Sequence, residues 1–149
     1  MRTISKLAFP LLVILPACVV ALLAASYLLG MRFNVSQSLP KGIYWLTRQE
    51  ARRGDCVIVA VGGEHLLKKV AGVPGDIITI NEEGVFVNGA WQRNSAPILQ
   101  TYFHLDRHHL PDGEVLVLSD YTPRSFDGRY FGPVSTGNIS CSLVPLITW

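Results

Sequence analysis

The stretch that decides the fold of this chain is Ile77-Ile-Thr-Ile-Asn-Glu-Glu-Gly-Val-Phe-Val-Asn-Gly-Ala-Trp-Gln92. It holds two short runs rich in β-branched residues, and each run ends in residues that favour turns. Asn88-Gly89 is a strong signal for a β-hairpin, because both residues accept the positive φ angles of the tightest turns. Asn81-Glu-Glu-Gly84 closes the preceding pair of strands. The stretch therefore predicts consecutive antiparallel strands.

The same alternation of short apolar runs and turns extends to both sides. Pro74-Gly-Asp76 and Pro111-Asp-Gly113 mark further turns, whereas residues 95–109 show no clear period and are predicted to be an irregular excursion. No run is long enough for a globular helix, so we predict a mainly β domain over residues 32–149, built as a folded sheet or barrel. The predicted strands are Ile43–Leu46, Val57–Val61, Leu66–Val70, Ile77–Ile80, Val85–Val87, Val115–Leu118 and Val144–Ile147.

The N-terminal segment has a different character. Residues 7–31 contain no charged residue, and about 20 apolar residues are enough to cross a bilayer as a helix. Pro10 and Pro16 lie inside this segment, but membrane helices tolerate proline. A cleaved secretory signal is the alternative, although its apolar region is usually only about 7–15 residues long. We therefore predict one transmembrane helix as an anchor, preceded by a cytoplasmic N-terminus over residues 1–6 that carries Arg2 and Lys6.

Composition excludes several classes of function. The net charge of +2 is too small to indicate nucleic-acid binding. His104, His108 and His109 lie in the irregular segment without a further ligand at a suitable spacing, so we predict neither a metal nor another cofactor. Cys56 and Cys141 could pair in an oxidising compartment, but Cys56 sits in a predicted strand and is interpreted as an inert core thiol.

Two serines form the first candidate group for chemistry, in Ser36-Gln-Ser38-Leu-Pro40. Residues two apart in an extended segment point to the same face, so both hydroxyls are expected in one cleft. One hydroxyl can then attack an acyl group while the other donates a hydrogen bond to the developing oxyanion. Taken alone, the pattern is also that of an ordinary loop before a proline.

Lys68 and Lys69 form the second group, inside an apolar predicted strand. Adjacent residues of a strand face opposite ways, so one of the two lysines is expected to reach the core or a cleft. Desolvation lowers the pKa of such a lysine, as a general base at neutral pH requires. The pattern alone favours the plainer alternative, an edge strand with both side chains directed outward.

A turn-rich loop between Leu118 and Pro133 supplies the third group. Asp127 and Arg129 are expected to pair and brace the loop, and Ser125 is expected to hydrogen-bond a neutral lysine. Loops rich in Asp, Ser, Gly and Arg are also common turns. The candidate residues of this loop are Asp120, Ser125, Asp127 and Arg129.

Together, the three groups resemble the type I signal peptidase clan. The pattern there is Ser-x-Ser-Met-x-Pro, then Lys-Arg-Val-x-Gly-x-Pro-Gly-Asp, then Gly-Asp-Asn-x-x-x-Ser-x-Asp-Ser-Arg. This chain has Ser36-x-Ser38, Lys68-Lys-Val-x-Gly-Val-Pro-Gly-Asp76, and Ser-Asp120 followed by Ser125-x-Asp127-x-Arg129. One such motif is weak, but three in order behind an apolar segment are a strong signal.

The chain is more similar still to the TraF-type branch, the conjugative-transfer peptidases that mature pilin subunits. That branch has Asn-x-Thr/Ser-x-Ser-x-Pro-x-Gly-x-Tyr-Trp, matched here from Asn34 to Trp45, and Ser-Phe-Asp-Gly-Arg-Tyr-Phe-Gly-Pro, matched from Ser125 to Pro133. The chain departs from general signal peptidases in having only Leu39 between the second serine and Pro40. It also has Tyr121 in place of asparagine and Lys69 in place of arginine. These departures favour the conjugative branch.

The resemblance implies a role for each candidate residue. Ser38 is implied to be the nucleophile and Lys68 its general base, with Asp127 as the acidic residue that the branch requires. Ser36 and the backbone N–H of Ser38 would hold the oxyanion. Residues implied to support the site are Ser36, Ser125, Arg129 and Asp120.

The implied function is that of a serine endopeptidase at the bacterial inner membrane, with its catalytic domain in the periplasm. Its implied partners are a membrane-embedded prepilin and the membrane lipid, and its reaction is either hydrolysis or cyclisation by a substrate amine. Alternatives are a general type I signal peptidase, a LexA-like self-cleaving regulator, and a non-catalytic membrane-anchored β-module of a secretion or pilus assembly. The absence of a DNA-binding segment before residues 7–31 argues against the regulator.

Overall fold

The computed structural model describes the backbone of residues 4–47 and 49–149, and the side chains of residues 12–47 and 49–149. Residues 1–3 of the predicted cytoplasmic N-terminus lie outside the described residues. The chain divides into two compact units, residues 1–32 and 33–149.

The first unit is dominated by one helix, α1, over Ile4–Leu28. After the helix, Gly30 adopts a φ of 94°, and the Arg32 guanidinium stacks on the Tyr27 ring at 3.9 Å. The predicted anchor, residues 7–31, coincides with α1 as far as Leu28. Within the part of the chain that the structure describes, no helix combines the length and the apolar character needed to cross a membrane.

The second unit is mainly β, as predicted, and its strands form two sheets. The larger sheet has the order β1-β2-β11-β3-β4-β9-β10 and the smaller one the order β7-β6-β5-β8. A short helix, α2 (Gly128–Phe131), and a 3₁₀ turn (Thr136–Asn138) interrupt the strands. The strands are β1 (Met31–Asn34), β2 (Gly42–Thr47), β3 (Cys56–Val61), β4 (Glu64–Gly72), β5 (Ile77–Asn81), β6 (Gly84–Val87), β7 (Ala90–Trp91), β8 (Leu105–His109), β9 (Glu114–Leu118), β10 (Val134–Ser135) and β11 (Ile139–Thr148).

The predicted hairpins are present at the positions that the turn residues indicated. β5 and β6 pair antiparallel from Ile78↔Val87 to Asn81↔Gly84, and β6 pairs with β7 across Asn88-Gly89. Asn88 has a φ of 52°, in the left-handed region that the tight turn requires.

The prediction of an irregular excursion over residues 95–109 is wrong at its C-terminal end. β8 (Leu105–His109) pairs with β5, with Ile77 opposite His109 and Ile78 opposite His108. Most of its residues are exposed, so the strand lacks the apolar alternation by which strands are found in a sequence. A register shift between Ile78 and Ile80 and a φ of 45° at Arg107 also interrupt its regularity.

The core consists of two buried clusters. The first, called here the isoleucine core, contains Ile78, Ile80, Val85, Val87, Leu110, Leu116 and Leu118. The second, called here the valine core, contains Val57, Val59, Val70, Val115, Val117 and Val134. In the β3–β4 ladder Val57 lies opposite Lys68, and Cys56 lies opposite Lys69. Because side chains alternate along a strand, Lys68 points to the face of the valine core and Lys69 to the other face.

Candidate active site

Lys68 of β4 lies between two serine hydroxyls from distant loops. Its Nζ is 2.8 Å from Ser38 Oγ and 2.9 Å from Ser125 Oγ. Ser38 belongs to the loop between β1 and β2, and Ser125 to the loop between β9 and α2. Lys68 is only 2% exposed and Ser125 only 3%. The three groups therefore form a chain of hydrogen bonds in which Lys68 and Ser125 are closed to water and Ser38 is half-buried.

The surroundings of Lys68 favour its neutral form. Burial against the valine core lowers the pKa of the ammonium, because the charged form loses its hydration there. The carboxylate of Asp127 raises this pKa, and the guanidinium of Arg129 lowers it again, but burial is the largest effect. A neutral amine in contact with a hydroxyl can accept its proton, and the alkoxide then becomes a nucleophile.

Lys69, the neighbour of Lys68, has a different environment. It forms an ion pair of 2.8 Å with Asp120, and the two side chains are 39% and 48% exposed. The predicted alternation of the two lysines is therefore present, and it brings Lys68, rather than Lys69, to the serines. Among the described residues, Asp120 forms no hydrogen bond with Ser38 or Lys68. Its carboxylate accepts from Lys69, and its backbone carbonyl accepts from Asn94 Nδ2.

Asp127 and Arg129 form the predicted pair, and both side chains are fully buried. Arg129 Nε and Nη2 donate to the two carboxylate oxygens of Asp127 at 2.8 and 3.0 Å. Asp127 also caps α2 by accepting from the Arg129 backbone N–H, and it accepts from the Ser119 N–H at 2.9 Å. Among the described residues, the Asp127 carboxylate thus accepts hydrogen bonds from Ser119 and Arg129, and from neither Ser38 nor Lys68. The geometry shows a bracing residue, and a catalytic role for Asp127 stays a prediction.

Gly128 explains why this pair can lie so close to β9. A Cβ at Gly128 would stand 2.7 Å from the Val117 carbonyl oxygen and 2.7 Å from a methyl carbon of Leu116. Only glycine therefore lets the start of α2 approach the strand at this distance. The approach brings Asp127 within reach of the Ser119 backbone.

Ser36 lies near Ser38 in the loop, but its hydroxyl is already engaged. Ser36 Oγ donates to Asn34 Oδ1 at 2.7 Å, and the Ser36 N–H donates to the same oxygen at 3.0 Å. A serine hydroxyl has a single proton to donate. To stabilise an oxyanion, Ser36 would have to exchange its bond with Asn34 for one with the substrate.

The structure identifies residues around the nucleophile that the sequence analysis did not single out. Asn34 Nδ2 donates to the carbonyls of Leu39 and Pro40 at 3.1 and 3.0 Å, and the Ser119 hydroxyl donates to the carbonyl of Ser38. Two sequence signals were available. Asn34 begins the motif shared with the TraF-type branch. Ser119 stands where the Gly-Asp-Asn motif of the signal peptidase clan has its glycine.

A cavity of about 650 Å³ lies beside the C-terminal part of the loop that carries Ser38. Its walls include Leu39, Pro40, Cys56, Lys69 and Asp120. Burial raises the pKa of the Cys56 thiol, and nearby Lys69 lowers it by less. The thiol thus stays protonated near neutral pH. Cys56 is half-buried in the cavity wall and belongs to neither core cluster, so the prediction that it lies in the core is wrong.

Comparison with known families gives the site its context. A family model described as signal peptidase, peptidase S26, matches residues 2–147 of the chain. The chain belongs to this family. It is therefore a serine-type peptidase of the signal peptidase kind, and the predicted resemblance is confirmed.

This S26 peptidase is similar to several individual proteins. A plasmid transfer protein TraF from Escherichia coli is 31% identical over an alignment of 157 positions, gaps included, which covers 86% of this chain and 89% of that protein. A probable signal peptidase I-2 from Synechocystis is 29% identical over 69 residues, which cover 46% of this chain and 32% of that protein. The crystal structure of a signal peptidase I from Enterococcus faecalis covers 66% of this chain and 100% of its own, at 22% identity and a TM-score of 0.48.

Proposed function

We propose that this S26 peptidase is a membrane-anchored endopeptidase with a Ser38/Lys68 dyad, and that it matures a prepilin for conjugative transfer. The observation that carries the proposal is the 2.8 Å contact between Ser38 Oγ and the buried Nζ of Lys68. A hydroxyl beside a desolvated amine is the arrangement that a serine nucleophile needs when no histidine acts as base.

The dyad would work in two steps. Neutral Lys68 accepts the proton of Ser38 as Oγ attacks the scissile carbonyl, and the resulting ammonium gives this proton to the departing amine. An ester between Ser38 and the substrate remains. Water, or a substrate amine in a cyclising reaction, then attacks the ester carbonyl and loses a proton to Lys68. The Lys68 ammonium returns this proton to Ser38 Oγ as the ester C–O bond breaks.

Oxyanion stabilisation would come from the nucleophile loop. The backbone N–H of Ser38 is one donor, and the Ser36 hydroxyl is the second once it releases Asn34. One such donor is typically worth about 3–4 kcal/mol of transition-state stabilisation. Ser125 would keep the Lys68 amine directed at Ser38, since its hydroxyl lies 2.9 Å from Nζ.

The substrate class rests on similarity and on the N-terminal segment. Relatives about 30% identical over most of the chain are named plasmid transfer proteins, which favours a pilin precursor as substrate. Residues 7–31 lack charge and would hold the domain at the periplasmic face of a bacterial inner membrane, where a membrane-embedded prepilin presents its cleavage site. The substrate would bind as an extended strand beside the nucleophile loop.

A general type I signal peptidase is the second candidate, because the matching family is described as signal peptidase. The two functions differ in breadth of substrate. Processing of unrelated signal peptides at rates similar to that of a pilin precursor would favour the general peptidase. Exclusive processing of the pilin would favour the proposed one.

The test uses single variants of the full chain in membranes that contain a prepilin. Ser38→Ala and Lys68→Ala are each expected to abolish processing, whereas Lys69→Ala, which removes the neighbouring ammonium, should retain it. Retained processing by either of the first two variants refutes the dyad. A serine-directed acylating probe separates the proposal from a non-catalytic β-module, because only the peptidase forms an adduct at Ser38.

A further inference from the structure

The loop that carries the nucleophile is held by side chains rather than by a strand ladder. Residues 35–41 lie between β1 and β2 and belong to neither strand. The Ser119 hydroxyl donates to the carbonyl of Ser38, and Asn34 Nδ2 donates to the next two carbonyls, those of Leu39 and Pro40. The Tyr44 hydroxyl also donates to the Pro40 carbonyl, at 2.7 Å. Three consecutive carbonyl groups thus depend on three polar side chains for their orientation, and the Ser38 carbonyl depends on Ser119.

Ser119 is itself held firmly. It is fully buried and directly follows β9, whose last residue, Leu118, is paired with Lys69 of β4. Its backbone N–H donates to the Asp127 carboxylate at 2.9 Å, and its hydroxyl oxygen accepts from the Thr122 N–H at 3.4 Å. The buried ion pair of Asp127 and Arg129 therefore fixes Ser119, and Ser119 in turn contacts the nucleophile's main chain.

We propose that Ser119 is a positioning residue that orients Ser38 for attack. This inference rests on the proposed function, since it assumes that Ser38 is the nucleophile. A peptide bond is planar, so a hydrogen bond to the Ser38 carbonyl fixes the plane that joins Ser38 to Leu39. The Leu39 side chain is 2% exposed and holds the other side of that plane. The Ser38 hydroxyl then keeps a single rotation, about χ1, with which to meet Lys68.

This geometry separates Ser119 from the residues that contact the base. The described hydrogen bonds of Ser119 go to main-chain atoms of Ser38 and Thr122 and to the Asp127 carboxylate, and none goes to Ser38 Oγ or Lys68 Nζ. Loss of the Ser119 hydroxyl should therefore change how often Ser38 is aligned for attack, and it should leave the ionisation of Lys68 unchanged. Small misalignments of reacting groups can lower rates by up to about a hundredfold.

The experiment measures acylation of Ser38 in the full chain by a serine-directed probe, as a function of probe concentration and pH. For Ser119→Ala we expect a maximal acylation rate about tenfold or more below wild type, an unchanged concentration for half-maximal rate, and an unchanged pH midpoint. Ser142→Ala is the matched control. Its hydroxyl donates to the Gln49 carbonyl at 3.3 Å from an equally buried position on β11, and its loss should leave the rate within about twofold.

A second pair of variants covers the case in which Ser119→Ala fails to fold. Ser119→Thr and Ser119→Val have the same shape and differ in the hydroxyl, so the threonine variant should acylate about tenfold faster than the valine variant. Equal rates for this pair, wild-type acylation by Ser119→Ala, or a shifted pH midpoint would overturn the positioning role. If the wild-type chain forms no adduct at Ser38, the proposed function itself fails, which is a different result.

Discussion

Val57 and Lys68 are directly opposite each other in the β3–β4 ladder, so the amine of Lys68 rises from the face that carries the valine core. An ammonium in such surroundings loses most of its hydration, and its neutral form is favoured. Lys69, one residue later, points to the other face and pairs with Asp120 near solvent. The period of a β-strand thus separates a candidate base from an ordinary surface lysine.

The first prediction concerns the pH dependence of Ser38 acylation. Burial lowers the pKa of Lys68 below the ordinary lysine value of 10.5, and only the neutral amine can accept a proton. The rate should therefore rise with pH through a single ionisation whose midpoint lies below 10.5, and fall as the pH drops beneath that midpoint. Lys69→Met should leave the midpoint unchanged. A rate that is independent of pH between 5 and 9 would contradict the neutral-amine base.

The second prediction concerns stability. Since the pKa of Lys68 is lower in the folded chain than in the unfolded chain, unfolded Lys68 binds more protons in the pH window between that lowered value and 10.5. Wild-type stability should therefore increase with pH across this window, relative to Lys68→Met, which cannot titrate. Thermal unfolding at pH 6, 8 and 10 should show that any advantage in Tm of the methionine variant shrinks as the pH rises. A constant difference in Tm would argue against a depressed pKa.

The third prediction concerns the buried pair of Asp127 and Arg129. Asp127→Asn leaves a fully buried guanidinium without its counter-charge, and breaking such pairs typically costs about 3–5 kcal/mol. The double variant Asp127→Asn/Arg129→Met should lose less free energy of unfolding in urea than the two single variants together. The exposed Lys69–Asp120 pair is the matched control, and its double-mutant cycle should give a coupling below about 1 kcal/mol. Additive effects at the buried pair would show that the two charges do not support each other.

The fourth prediction concerns Asp76, in the turn between β4 and β5. Burial raises the pKa of this carboxyl, but the Val73 N–H, Arg53 and Asn88 together lower it below its ordinary value of 3.8. Its oxygens lie 2.7 Å from the Val73 nitrogen and 2.8 Å from Asn88 Nδ2. Asp76→Asn should therefore cost about 2–3 kcal/mol of stability at pH 7, measured by urea unfolding.

That cost should depend on pH with a definite sign. A carboxyl group whose pKa is lower in the folded chain stabilises the fold at pH values above its unfolded-state pKa. This stabilisation is lost as the pH falls through the folded-state pKa. The difference between wild type and Asp76→Asn should therefore shrink below about pH 4. Asp106→Asn, an exposed position on β8, is expected to change stability by less than about 0.5 kcal/mol at either pH. An Asp76→Asn cost that stays the same at pH 3 and pH 7 would rule out the proposed ionisation.

Much of the fold followed from local pattern. The apolar runs at Ile77–Ile80 and Val85–Val87 became β5 and β6, because β-branched residues and the Asn88-Gly89 turn act over a few neighbouring positions. β8 was missed because its side chains face solvent and leave no apolar period. The types of residue in the candidate site were also recognisable from the sequence, because the three motifs that resemble the signal peptidase clan contain them in order.

The sequence by itself determined the mainly β class and the family, whereas its pattern favoured an edge strand with Lys68 and Lys69 both directed outward. The structure places β4 between β3 and β9, with Lys68 buried and Lys69 near solvent. The tertiary structure decided which groups meet: the contacts of Lys68 with Ser38 and Ser125, and of Ser119 with Ser38, join residues 30, 57 and 81 positions apart. It also decided that the Asp127 carboxylate is occupied by Arg129 and Ser119, and that Asn34 engages the Ser36 hydroxyl. The physical reason is that strand period and turn propensity act between near neighbours, whereas the depth of burial of an amine and the partner of each hydroxyl depend on how separate strands and loops pack together.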